Sequence, residues 1–125
     1  MFIDYIDFLD KHEITLVEVS DGSYDIDHNR KLEYISRLAE RGTVISEVGS
    51  KKNDVVYTPE EWVEMMKSEL NAGSVKVIAE ARESGTAGIY NEDGSINNKI
   101  ITAISEHVRL DNVIWEAPLK SQQAW

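Results

Sequence analysis

Val77 to Gly85 reads VIAEARESG: an apolar run gives way to Glu80, Arg82, Glu83 and Ser84, and Gly85 closes the segment. The same grammar recurs in LVEVSDG (Leu16 to Gly22), VISEVGSK (Val44 to Lys51) and VIWEAP (Val113 to Pro118). Each run is short, rich in β-branched residues and continuously apolar rather than alternating. That is the mark of a strand covered on both faces, as in a parallel sheet.

Segments with helical spacing lie before and between these runs. Residues 2–12 place Phe2, Ile3, Ile6 and Leu9 on one stripe, with acids between them. Asp27 or Asn29 caps a second helix running to about Arg41, whose stripe is Leu32, Ile35, Leu38 and Ala39, with Gly42 at the position that ends helices. Thr58, Pro59, Glu60 and Glu61 form a helix start with an N-cap hydroxyl, proline at N1 and Glu at N3. That helix carries Trp62, Val63, Met66 and Leu70, and Gly73 stops it. Lys99 to Arg109 form a fourth, and Pro118 opens what reads as a fifth. Strands are expected at Ile14 to Val19, Thr43 to Val48, Ser74 to Ala81 and Asn112 to Ala117. The order α-βα-βα-βα-β-(α) defines an α/β fold with a parallel sheet. It is a single domain over residues 1–125. A closed (β/α)₈ barrel needs about 250 residues, so the expectation is about half of one, or half of an assembly of two copies.

Composition narrows the function classes. The chain has 125 residues, 42% of them apolar, and a formal charge of −10. The charge argues against nucleic acid and anionic membranes as partners and is compatible with cation binding. The absence of cysteine excludes disulfides, thiolate catalysis and cysteine-based metal sites. No apolar run reaches the roughly 20 residues of a membrane span, and the basic region of a signal peptide is missing, which favours the cytoplasm.

In open sheets and barrels of this class, ligands sit at the C-terminal strand edge. Glu18, Glu47, Glu80 and Glu116 all end strands there. Such carboxylates suit Mg²⁺, a hard cation that keeps several waters; the alternative is ion pairing with Arg82, Lys51 or Lys120. Arg82 offers a planar fork for phosphate or carboxylate, and Lys51 a mobile charge able to act as an acid or base. Ser84, Gly85, Thr86 and Gly88, and likewise Ser20, Asp21 and Gly22, carry amides and hydroxyls suited to an anion or to simple turns. His12, His28 and His107 fall on or beside helices and read as surface residues.

At these residues the chain resembles the phosphosulfolactate synthase family. The resemblance rests on EVSDGS (Glu18 to Ser23), ISEVGSK (Ile45 to Lys51), IAEARESGTAGIY (Ile78 to Tyr90) and WEAPLKSQQAW (Trp115 to Trp125). It implies a (β/α)₈ TIM barrel and a Mg²⁺-dependent, lyase-type addition of sulfite to phosphoenolpyruvate giving (2R)-phospho-3-sulfolactate, the first step of one coenzyme M route. It also implies roles. Lys51 and Glu47 are the catalytic candidates, Lys51 as the acid that protonates carbon. Arg82, Ser84, Ser20, Lys120 and Gln122 are candidates for holding the substrates, and Glu80, Glu116 and Glu18 for the metal. The family pattern has further strands before Met1 and after Trp125, so the resemblance implies a piece truncated at both ends and inactive alone. The expected partners are a small phosphorylated acid and sulfite, with homo-oligomerisation open. Two other readings remain: a non-catalytic stress-tolerance member acting through protein contacts, and another phosphate-handling barrel enzyme that ignores sulfite.

Overall fold

A computed structural model describes residues 2–20, 27–49, 57–81, 89–91 and 93–123. Four strands, β1 (Leu16–Val19), β2 (Thr43–Val48), β3 (Lys76–Ala79) and β4 (Val113–Trp115), form one sheet in the order β1-β2-β3-β4. All three neighbouring pairs are parallel, with Val17 opposite Val44, Glu47 opposite Ile78 and Ile78 opposite Ile114. The helices are α1 (Phe2–Lys11), α2 (His28–Ala39), α3 (Pro59–Ala72) and α4 (Asn98–His107). The arrangement is a run of consecutive parallel βα units, the architecture of part of a TIM barrel.

Successive strand residues point to opposite faces. Val17, Val44, Val48, Val77, Ala79 and Val113 pack beneath the helices. Leu9 of α1 and Ile35 and Leu38 of α2 cover β1 and the start of β2. Trp62, Val63 and Met66 of α3 and Ile100 and Ile104 of α4 cover the rest. The alternate set, Leu16, Glu18, Ile45, Glu47, Lys76, Ile78 and Ile114, faces away from the helices.

Local sequence explains the helix ends. Thr58 Oγ1 accepts from the Glu61 N–H at 3.1 Å, and Glu61 Oε1 accepts from the Thr58 N–H at 3.0 Å, a complete capping box. Asp27 caps α2 as expected, while α4 begins one residue earlier than expected because Asn97 caps it. Gly42 does not end α2, whose C-cap is Glu40. Its smallness serves a close approach: a Cβ there would lie 2.5 Å from the Thr15 carbonyl oxygen. Where a fifth helix is expected, the described residues form a 3₁₀ turn at Lys120–Gln122. Arg41 ties α1 to this framework, its Nε donating to Asp10 Oδ1 at 2.6 Å and its Nη2 to the Ile14 carbonyl.

Candidate functional site at the C-terminal strand edge

The acidic strand ends share the helix-free side of the sheet, at different heights. Ala79 and Ala81 are buried with the helices, so Glu80 between them turns to the other side. Glu116 follows β4, and its N–H donates to the Ala79 carbonyl at 3.3 Å, which carries the β3–β4 register on to set Glu116 beside Glu80. Neighbouring strands run about 4.8 Å apart, so the two residues stand at the same height on adjacent strands. Glu47 lies opposite Ile78, about 6.6 Å lower along the strand. Glu18 lies opposite Ile45, a further step down, and is exposed. Among the four, Glu18 is therefore the one set apart. Ser20, just beyond β1 and half-buried, continues the register toward Glu47.

The upper pair is built into its surroundings. Glu80 is only 2% exposed, and its backbone is fixed on both sides: its N–H donates to the Val48 carbonyl at 3.0 Å, and its carbonyl accepts from Ile89 at 3.2 Å. Gly49, with φ of +124°, lets the β2 end pass close to it. A Cβ on Gly49 would fall 2.9 Å from Glu80 Cβ and 3.0 Å from the Trp62 ring. Glu116 Oε1 accepts from the Ala81 N–H at 3.3 Å, and the Glu116 carbonyl accepts from the Tyr90 hydroxyl at 2.7 Å. The carboxylates thus sit on rigid elements, and their oxygens suit a hard cation. Among the described residues no group of three or more His, Cys, Asp or Glu side chains is placed to hold a metal. The donor set fits Mg²⁺ bound by one or two carboxylates and completed by water and substrate oxygens, the usual way Mg²⁺ is held.

The remaining candidates divide. Lys120 is exposed. Gln122 is buried, and both ends of its amide are engaged: Oε1 accepts from the Leu119 N–H at 3.1 Å and Nε2 donates to the Gly94 carbonyl at 2.9 Å. It joins the segment after β4 to the turn at Asp93–Ser95. There Ser95, through its hydroxyl and its backbone, holds the exposed Asp93 carboxyl below the usual carboxylate range. Lys51, Arg82, Ser84 and Asp21 lie outside the described residues.

One neighbour of the candidate site escaped sequence reasoning. Lys31 of α2 is 2% exposed and Glu69 of α3 is 1% exposed, and they pair at 3.2 Å. Lys31 Nζ also donates to the Glu47 carbonyl at 2.5 Å. The signal was in the helical period. Lys31 stands four residues before Ile35 and seven before Leu38, and Glu69 stands three after Met66, so both charges fall on the apolar stripes.

Comparison with known proteins follows the same line. The family model described as (2R)-phospho-3-sulfolactate synthase (ComA) matches residues 1–125. A phosphosulfolactate synthase of Methanothermobacter thermautotrophicus is 37% identical over 113 residues, covering 87% of this chain and 44% of its own length. That of Bacillus subtilis is 37% identical over 110 residues, covering 86% and 44%. That of Methanocaldococcus jannaschii is 33% identical over 126 aligned positions, covering 98% and 50%. The chain spans about half the length of these curated relatives. The chain belongs to the phosphosulfolactate synthase family.

Proposed function

We propose that this chain carries part of the site at which a phosphosulfolactate synthase adds sulfite to phosphoenolpyruvate. The observation that supports the reading is the placement of buried Glu80 and half-buried Glu116 at one height on neighbouring strands of the C-terminal edge, in a chain whose relatives bear that enzyme's name.

The chemistry asks for three things: an electrophilic alkene, a place for developing charge and a proton. The sulfur lone pair of sulfite forms a bond to the methylene carbon of phosphoenolpyruvate. The alkene π pair moves toward the substrate carboxylate, and a proton is then delivered to the carbon that bears the phosphate. No leaving group departs, and the phosphate ester stays intact. Glu80 and Glu116 would hold Mg²⁺, with Glu47 close enough to contact it through water. When bound, Mg²⁺ supplies Lewis-acid stabilisation of charge on the substrate carboxylate. Lys51, four residues after Glu47, is the proton donor in this reading, and Arg82, two after Glu80, grips phosphate or sulfite. Ser84, Ser20 and Lys120 add donors to the anions, and Glu18 is the weakest of the metal candidates because of its height. Among the described residues no helix is long and apolar enough to cross a membrane.

The test is sulfite-dependent loss of phosphoenolpyruvate by an intact relative that carries these residues, followed with and without Mg²⁺. Lys51→Ala is expected to lower kcat by about 10²-fold or more, as loss of a general acid does. Consumption that ignores sulfite, or full activity in Lys51→Ala, would overturn the reading or the acid assignment respectively.

A further inference from the structure

We propose that Lys31 is a positioning residue: from the helix-covered side it fixes the C-terminal end of β2 and thereby aims Glu47 on the other side. The proposal rests on the reading of this edge as a sulfite-addition site.

The direction of the β2 peptides carries the argument. The Val44 and Val48 carbonyls accept from Val75 and Glu80, so both point toward β3. By alternation the Glu47 carbonyl points toward β1. The β1–β2 pairing closes at Val19 opposite Ser46, one residue short of Glu47. At that place the Lys31 ammonium donates to the Glu47 carbonyl at 2.5 Å. A charge-assisted bond of this kind holds a peptide plane more firmly than a neutral one. The plane carries the Glu47 Cα with it, so turning the peptide would swing the carboxylate.

The identity of the side chain points the same way. Lys31 and Glu69 are buried to 2% and 1% exposure in the layer where α2 and α3 meet the sheet. A buried ion pair is seldom more stabilising than apolar residues of the same volume. Packing alone would be served by Met and Leu. What those residues cannot supply is a donor to the Glu47 carbonyl.

The double variant Lys31→Met/Glu69→Leu removes both charges, keeps the volume and leaves no charge of the pair buried alone. In amide hydrogen exchange, Glu80, whose N–H bonds the Val48 carbonyl, is expected to exchange about tenfold faster or more. Val75, bonded to Val44 at the other end of β2, should be unchanged. In sulfite-dependent turnover, kcat is expected to fall about tenfold, as for partners that orient a ligand, with KM for phosphoenolpyruvate held within about twofold. Unchanged exchange at Glu80 overturns the proposal. Faster exchange with unchanged kcat also overturns it, leaving Lys31 a structural clamp. Glu69→Gln retains the ammonium but leaves its charge without the carboxylate and so lowers overall stability; Glu80 exchange is expected to rise no more than that of Val75, and acceleration confined to Glu80 and equal to the double variant's would assign the effect to the ion pair instead. Should the double variant not fold, the Lys31 ammonium of the wild-type protein decides: protected from exchange and correlated with the Glu47 carbonyl by NMR it upholds the bond, and in fast exchange it overturns it. An intact relative carrying these residues that consumes no phosphoenolpyruvate with sulfite sinks the catalytic reading, while the exchange contrast in this chain still decides whether Lys31 sets the β2 end.

Discussion

On the helix-covered side of the sheet Val44, Val48, Val77 and Ala79 are essentially inaccessible, and the polar groups buried there include the paired Lys31 and Glu69 and the Ser74 hydroxyl bonded to Ser46 at 2.8 Å. On the other side Leu16 and Ile114 are 58% and 40% exposed and share the surface with Glu18 and Lys76. The same strands therefore carry the packed core on one side and the candidate carboxylates on the other. The difference teaches where a substitution should be felt. Changes under the helices should appear in unfolding, and changes on the carboxylate side in binding and turnover.

The largest test of that division is Trp62→Ala. Trp62 is 1% exposed, packs in the main core cluster and meets the Tyr57 ring edge-on at 6.1 Å. Truncation removes its buried area and leaves a cavity, so urea denaturation should show a loss of about 3–5 kcal/mol. A loss under about 1 kcal/mol would mean that the helix-covered side is not the core the packing indicates.

Gly49→Ala probes the place where the two sides meet. The added methyl would strike Glu80 on one side and Trp62 on the other, at a φ of +124° that side chains rarely adopt. Strain and overpacking together should lower stability by about 1–3 kcal/mol. Because the nearest atom is Glu80 Cβ, the NMR signals of Glu80 should shift as well. A neutral substitution with Glu80 unmoved would show that Gly49 does not set the carboxylate's position.

What the sequence made legible follows from how local each cause is. The Thr58–Glu61 capping box and the β2 bounds Thr43–Val48 depend on adjacent residues, and both are as read. β3 was read as Ser74 to Ala81 and pairs only over Lys76–Ala79, because a ladder ends where its neighbours end and no residue in the strand reports that. Gly42 was assigned to a helix end, yet its constraint comes from Thr15, far off in sequence. The candidate site was legible as a set of acidic strand ends, whereas the heights that join Glu80 to Glu116 and separate Glu18 come from register alone. Lys31 and Glu69 were legible by their period, but a charge on an apolar stripe is easily taken for the edge of the polar face.

The smallest expected effect tests the exposed side itself. Ile114 lies opposite Ile78 on the carboxylate face and is 40% exposed. Apolar area that water already reaches contributes little to folding, so Ile114→Ser should change stability by no more than about 0.5 kcal/mol. The measurement is best made at several protein concentrations. If the loss instead approaches that of Trp62→Ala and the wild-type Tm rises with concentration, Ile114 is covered in solution by a second molecule, since only association makes Tm depend on concentration in this way. The carboxylate face would then be an interface as well as a site, and stability and chemistry would no longer divide between the two sides of the sheet.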